Sequence, residues 1–395
     1  MSRPATSEEA VPAGAAFSPV DNEAPLRWWR RLRLVPGGDL GTGRRAAILA
    51  AIAWLPIALW SLLQGRLLGV DAGEPLLQHY GVHVRCLIAI PLLVLAESAL
   101  HRKGASLARR FVASGAVDAA TRPAFDAVLR DVTRLRDAAL PWVLALGAAV
   151  AWALADRPDP GDDALSWATD AGGRLGFGGW WFMWVARAIY VALLLGWIWR
   201  IGLVTYWMWR VGRLRLALVP THPDRTGGIA FVETLPNAFT LVTLALAAVL
   251  ASRWAHEAVH HGATLASFRV PALAFAAGWT LLLLLPLLAL APVLRATRKA
   301  ALPAYSALAG AQGRAVHRRW IERSDADAEM LEPAGIGPLA DAAAAFEASR
   351  KLRSVPISRK AVTAILVPMA LPFVALAATQ VPLKELLIKV LKVLV

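Results

Sequence analysis

His256-Glu257-Ala258-Val259-His260 is an H-E-x-x-H sequence, the spacing used by zinc-dependent hydrolases. On a helix, residues four apart share a face. Both imidazoles could then ligate one zinc ion while Glu257 acts as general base on a metal-bound water. Such a site needs a third protein ligand. His79 and His83, also four apart, and Glu74 fall on the same expected side of the membrane. The bland alternative is a group of interfacial histidines holding no metal, and nothing downstream supplies the further ligand motif of a membrane metalloprotease. The leading expectation is therefore no cofactor, with zinc on His256 and His260 as the alternative.

Two other sets of residues could do chemistry. His222-Pro223-Asp224-Arg225-Thr226-Gly227-Gly228 is a turn-rich loop whose backbone N–H groups and Arg225 could hold an anion. The structural reading of the same loop is favoured: Pro223 sets the turn, Asp224 caps the segment after it, and Gly227 and Gly228 allow close approach of helices. Arg85, Glu97 and Arg187 lie inside apolar runs, where an ionisable group is a functional hypothesis by default. Arg85 and Glu97 sit near opposite ends of their run and can snorkel. Arg187 lies deeper, about 10 Å along a helix from Trp180, and is the best candidate for lining a polar cavity or meeting an anionic substrate. Trp197-Ile-Trp-Arg200 recurs as Trp207-Met-Trp-Arg210, which reads as a tryptophan belt with cationic anchors at an interface. There is no Walker sequence, no nucleophile elbow and no dinucleotide fingerprint.

The elements that must position these residues are membrane helices. The chain is 57% hydrophobic and its mean hydropathy is +0.51. Seven apolar runs, 46–63, 82–100, 138–155, 180–199, 236–252, 271–294 and 361–380, are each near the length a bilayer requires. The fold class is therefore an all-α integral membrane protein of about seven transmembrane helices with short cytoplasmic helical extensions. About three quarters of the 42 Lys and Arg fall on one side of these runs, which places the N-terminus inside and the C-terminus outside. A net charge of +14 could suggest nucleic acid, but the cations flank the spans and form no separate basic domain, so none is expected. A lone Cys86 excludes an intrachain disulfide.

The remaining organisation is read from composition. Residues 1–25, rich in Ala, Pro, Ser and Glu, read as a disordered tail. Residues 26–45 read as a basic interfacial segment, with Trp28 and Trp29 entering an anionic inner leaflet. The polytopic membrane domain covers 46–380. Residues 381–395, a leucine-rich stretch too short to span, read as an amphipathic helix lying on the outer face.

The loop at 222–228, Gly262-Ala-Thr-Leu-Ala-Ser-Phe268, Ile336-Gly-Pro-Leu-Ala-Asp341 leading to Val355-Pro356, and the ending Val381-Pro-Leu-Lys-Glu-Leu-Leu387 carry a resemblance. With these motifs the chain resembles a group of bacterial multi-pass inner-membrane proteins that share a His-Pro-Asp-x-x-Gly-Gly loop. The resemblance covers most of the second half and implies a bacterial plasma-membrane location; it brings no activity with it. The expected function is non-enzymatic: transport of a small solute or ion, or a scaffold for envelope assembly. Arg187, Arg200 and the 222–228 loop are its candidate residues. The competing expectation is a zinc-dependent membrane hydrolase. Partners are the lipid bilayer and anionic lipids at the inner face, with a protein partner or homo-oligomer left open.

Overall fold

The computed structural model describes residues 17–35, 40–68, 75–155, 167–168, 174–260, 262–264, 266–322 and 336–380. The described residues form helices and contain no strand. Seven helical segments are long and apolar enough to cross a bilayer: Thr42–Leu63, Tyr80–Ala113, Arg122–Ala155, Phe177–Gly212, Ala230–His260, Arg269–Leu288 and Arg359–Ala378. The protein is an all-α membrane protein of seven spans.

In chain order the helices are α1 (Ala24–Arg31), α2 (Thr42–Leu63), α3 (Tyr80–His83), α4 (Ile90–Ala113), α5 (Arg122–Asp137), α6 (Leu140–Ala155) and α7 (Phe177–Trp181). They continue with α8 (Arg187–Gly212), α9 (Thr240–His260), α10 (Arg269–Leu288), α11 (Ala291–Trp320), α12 (Ile336–Arg350) and α13 (Arg359–Gln380). Two π-helical segments interrupt the spans: Val84–Ala89 joins α3 to α4, and Phe182–Ala186 joins α7 to α8. Pro56, Pro286, Pro368 and Pro372 lie within spans, as neighbouring helices allow in a membrane.

The span Ala230–His260, which contains α9, is the most enclosed, with 50% of its most apolar stretch buried. Its inward positions include Val242, Ala245, Ala247 and Ala251, small or compact side chains that let neighbouring helices approach. The α5–α6 span is the least enclosed at 17%. Leu140, Val143, Leu144, Leu146 and Leu154 on α6 are exposed, which is the composition a lipid-facing surface requires.

The N-terminal region departs from expectation. Residues 17–25, expected to be disordered, are packed against the bundle; residues 1–16 lie outside the described residues. Phe17 packs 4.6 Å from the Trp207 ring, and Val20 and Glu23 are buried. Three inward anchors spaced three apart tie down a segment whose average composition is polar. The Ser18 carbonyl accepts from Arg136, its hydroxyl bonds His101, and Asn22 donates to Asp137. Pro19 lies so close to Gly104 of α4 that a Cβ there would fall 2.3 Å from the proline ring. Residues 17–31 thus form a strap across one end of the bundle. The interfacial reading of 26–45 also needs revision. Trp28 is exposed, but Leu26 and Trp29 pack with Val35 and Leu40, and Arg45 is buried. The expected C-terminal helix at 381–395 lies outside the described residues.

Candidate functional site

The spans bring ionisable groups together at two levels. At the end of the bundle opposite the strap, α9 presents Arg253, His256, Glu257 and His260, spaced i, i+3, i+4 and i+7 along one helical stripe. The His256 and His260 rings lie 4.6 Å apart, and His79 stacks on His256 at 5.5 Å. The helix therefore brings the two histidines of the H-E-x-x-H sequence side by side. His83 does not join them. Its Nδ1 accepts from the Trp54 indole at 3.0 Å and its Nε2 donates to the Leu76 carbonyl at 2.9 Å, so both ring nitrogens are engaged. Among the described residues no three His, Cys, Asp or Glu side chains are grouped to hold a metal ion. Glu74 and His261 lie outside those residues.

Below this row sit the two π-helical segments. A π turn widens the helix by one residue and is common where a side chain must be aimed at a functional site. Arg85, on the first, lies 5.3 Å from the ring of Phe182 on the second and 5.7 Å from that of Tyr190 on α8. It does not snorkel to an interface, because the two aromatic faces hold it between the helices. Its buried Nε has no hydrogen-bond partner among the described residues. Arg187, the first residue of α8, and Arg253 on α9 are both near enough to act on Arg85 electrostatically. Arg187 thus belongs to a group of three guanidinium ions.

The second level is at the strap end. Arg200 of α8 is fully buried and meets two carboxylates: Nε and Nη2 reach Glu23 at 3.0 and 2.6 Å, and Nη2 reaches Glu97 of α4 at 2.8 Å. Glu97 also pairs with Arg45 of α2. The rings of Trp142 and Trp197 lie 5.2 and 5.0 Å from the Arg200 guanidinium carbon, and Trp29 lies 5.8 Å from that of Arg45. Two cations and two anions close a neutral cluster, each member at most 3% exposed. Burial pushes the Glu23 carboxyl up to about 7, with Arg200 pulling the other way without overcoming it.

This cluster overturns two expectations. Arg200 is not an interfacial anchor, and Glu97 does not snorkel; each is the other's partner. The tryptophan belt also divides. Trp197 and Trp207 are core residues, whereas Arg210 at the end of α8 does sit at the rim, bonded to Tyr206 at 2.6 Å and Asp131 at 3.1 Å. The two similar tetrads thus have different fates: the strap touches both, through Phe17 at Trp207 and Glu23 at Arg200, but only Arg200 receives a strap carboxylate, whereas Arg210 finds Tyr206 and Asp131 at the rim.

The 222–228 loop is a clasp. Its N–H groups turn onto its own carboxylate: Asp224 accepts from Thr226 at 2.8 Å, Gly228 at 3.1 Å and Ala230 at 3.0 Å. The last of these opens the 3-10 segment Ala230–Phe239 that leads into α9. Burial acts to raise the Asp224 carboxyl, but these donors outweigh it and hold it below the usual carboxylate range. Arg225, Gly227 and Gly228 all have positive φ, which wraps the backbone around that carboxylate. The His222 Nδ1 lies 2.9 Å from it. Arg353, between α12 and α13, donates its N–H to the Arg225 carbonyl at 2.8 Å and pairs with Glu233 at 2.7 Å. The N–H groups of Thr226, Gly228 and Ala230 are thus committed to Asp224, and those of His222, Asp224 and Arg225 to Val219 and His222.

Sequence reasoning missed Glu23, Arg45 and Arg253 as members of these sites. Arg253 was legible, since it lies three residues before His256 on the same stripe. Glu23 and Arg45 carry no local signal. No family model, curated protein or solved structure matches the chain.

Proposed function

We propose that this chain is a non-enzymatic membrane protein that binds and passes a small anion at Arg85. The observation that carries the reading is the Arg85 guanidinium, held between two aromatic rings on a π turn and bonded to no described carboxylate, with Arg187 and Arg253 within electrostatic reach. A cation between membrane helices with no described counter-ion bonded to it carries a desolvation penalty of up to several kcal/mol. A helix pair that needed only packing would hold an apolar residue there. An anion entering the site offsets the penalty, and the π turns give its walls the irregularity that a ligand site uses. The distribution of Lys and Arg supports an inner-membrane orientation with the strap end cytoplasmic and the histidine row outside. The resemblance to bacterial inner-membrane proteins supports the same placement. On the cytoplasmic side the basic flanks of the spans suit anionic lipids.

The test is chloride and nitrate efflux from proteoliposomes containing the full-length protein, compared with Arg85→Gln and Arg187→Gln. Efflux reduced at least roughly tenfold in both variants, with the folded protein recovered in normal yield, is the expected result. Wild-type flux no greater than in empty vesicles, or variants with undiminished flux, would sink the proposal.

One observation favours a second reading. The 4.6 Å spacing of the His256 and His260 rings is compatible with a shared metal, with Glu257 as base, in a zinc-dependent membrane hydrolase. Near-stoichiometric zinc in the purified protein, lost in His256→Ala/His260→Ala, would favour this reading, and its absence would remove it.

A further inference from the structure

Three members of the neutral cluster, Arg45, Glu97 and Arg200, come from spans. The fourth, Glu23, comes from the strap and meets Arg200 across a separation of 177 residues. We propose that the Arg200 guanidinium is a carboxylate-binding site of which Glu23 is a tethered occupant, and that a free small carboxylate competes with the strap for it. This inference is independent of the anion reading of Arg85, which concerns the other end of the bundle.

The geometry is that of ligand recognition. Nε and Nη2 of Arg200 grip the two oxygens of Glu23 as a fork, an arrangement that selects a planar carboxylate over a spherical anion. The Trp142 and Trp197 rings pack around the guanidinium, so its donor edge is the part left for partners. That edge is not used up: Nη1 of Arg200 is buried and has no hydrogen-bond partner among the described residues, leaving a donor for a differently placed oxygen. Charge balance points the same way. Glu97 offsets only one of the two arginines, so a cluster without Glu23 retains one buried positive charge and requires an anion.

The occupant is also placed where it can leave. Glu23 immediately precedes the eight-residue α1 and comes directly after Asn22, whose φ of 67° marks a sharp reversal of the backbone.

The experiment uses the full-length protein in detergent and its Glu23→Ala variant. Sodium acetate is titrated against sodium chloride at matched ionic strength, and the thermal unfolding midpoint is followed. Glu23→Ala should melt at least roughly 5 °C below wild type. Acetate should restore more than half of that loss with saturation, and chloride should not. The Glu23→Ala/Arg200→Met variant should be indifferent to acetate. An equal response to chloride, no response to acetate, or a response that survives loss of Arg200 overturns the proposal. Wild type gives a readout that does not depend on the variant folding. Amide hydrogen exchange across residues 17–31 should quicken in high acetate relative to chloride, and identical exchange in the two salts also overturns it.

Discussion

The bundle holds arginine in its interior in two contrasting ways. At the strap end, Arg45 and Arg200 are balanced charge for charge by Glu23 and Glu97 and sit on regular helix. At the other end, Arg85 lies on a π turn among aromatic rings and other cations, with no described carboxylate bonded to it. A closed, neutral set of charges fixes which helices meet and in what register, and removing one member leaves another stranded. A charge with no described ion partner does not join helices in that way. The difference separates charges that join helices from the charge proposed to meet a small anion.

Four substitutions put this contrast at risk. The largest effect is expected at the carboxylate that two arginines share: Glu97→Leu should destabilise the protein by about 3–5 kcal/mol, since it strands a buried guanidinium. Loss of a folded, monodisperse species on gel filtration would register it, whereas a variant that behaves like wild type would show that the cluster does not hold the helices. A smaller effect is tied to pH. Glu23 has a raised value in the folded protein, so it contributes full stability below its unfolded value near 4.5 and loses it as the pH rises through about 7. The loss amounts to about 3 kcal/mol in strap docking. Arg45, Glu97 and Arg200 face Glu23 from the spans, and His101 touches the strap at Ser18. Comparison with Glu23→Gln isolates the Glu23 contribution. Proteolysis after Arg27 and Arg30 should accelerate between pH 5 and about 7.5 in wild type and much less in the variant.

Asp224→Ala should cost about 1–2 kcal/mol, the loss of a cap serving three N–H groups, and should loosen the contact with Arg353. Denaturant unfolding measures the first effect and hydrogen exchange over residues 351–357 the second. The smallest change in stability is expected at the other arginine. Arg85→Leu should stabilise the protein by about 1 kcal/mol, because relief of the buried charge outweighs the loss of the contacts with Phe182 and Tyr190 and no described ion pair is broken. If it instead matched Glu97→Leu, the contrast between the two ends would collapse.

Much of the fold was legible because lipid imposes a simple rule on sequence: a span needs an unbroken apolar run, and each of the seven runs proved helical. Boundaries were less legible, since the helices continue beyond the apolar residues, as α4 does to Ala113 and α8 to Gly212. Along the H-E-x-x-H stripe, helical spacing alone predicted that His256 and His260 would be neighbours. It was silent on His83, which spends both nitrogens on Trp54 and Leu76. The neutral cluster was hidden for a different reason. Its partners are 52, 103 and 177 residues apart, and no local period connects such positions. Composition even pointed the wrong way at Glu23, because three anchors in a polar segment do not alter its average. The π turns carry no sequence signature, as one extra residue per turn leaves hydropathy unchanged.

The strap has a consequence for how the chain is made. Residues 17–31 leave the ribosome well before α8, so Glu23 cannot find its counter-ion until Arg200 has been synthesised and its helix inserted. A segment translated early thus settles only after α8 has been made, and until then the nascent protein carries a half-finished charge set. Closing the strap requires that α2, α4 and α8 have already come together, so docking of the N-terminal segment is coupled to the arrangement of those three spans.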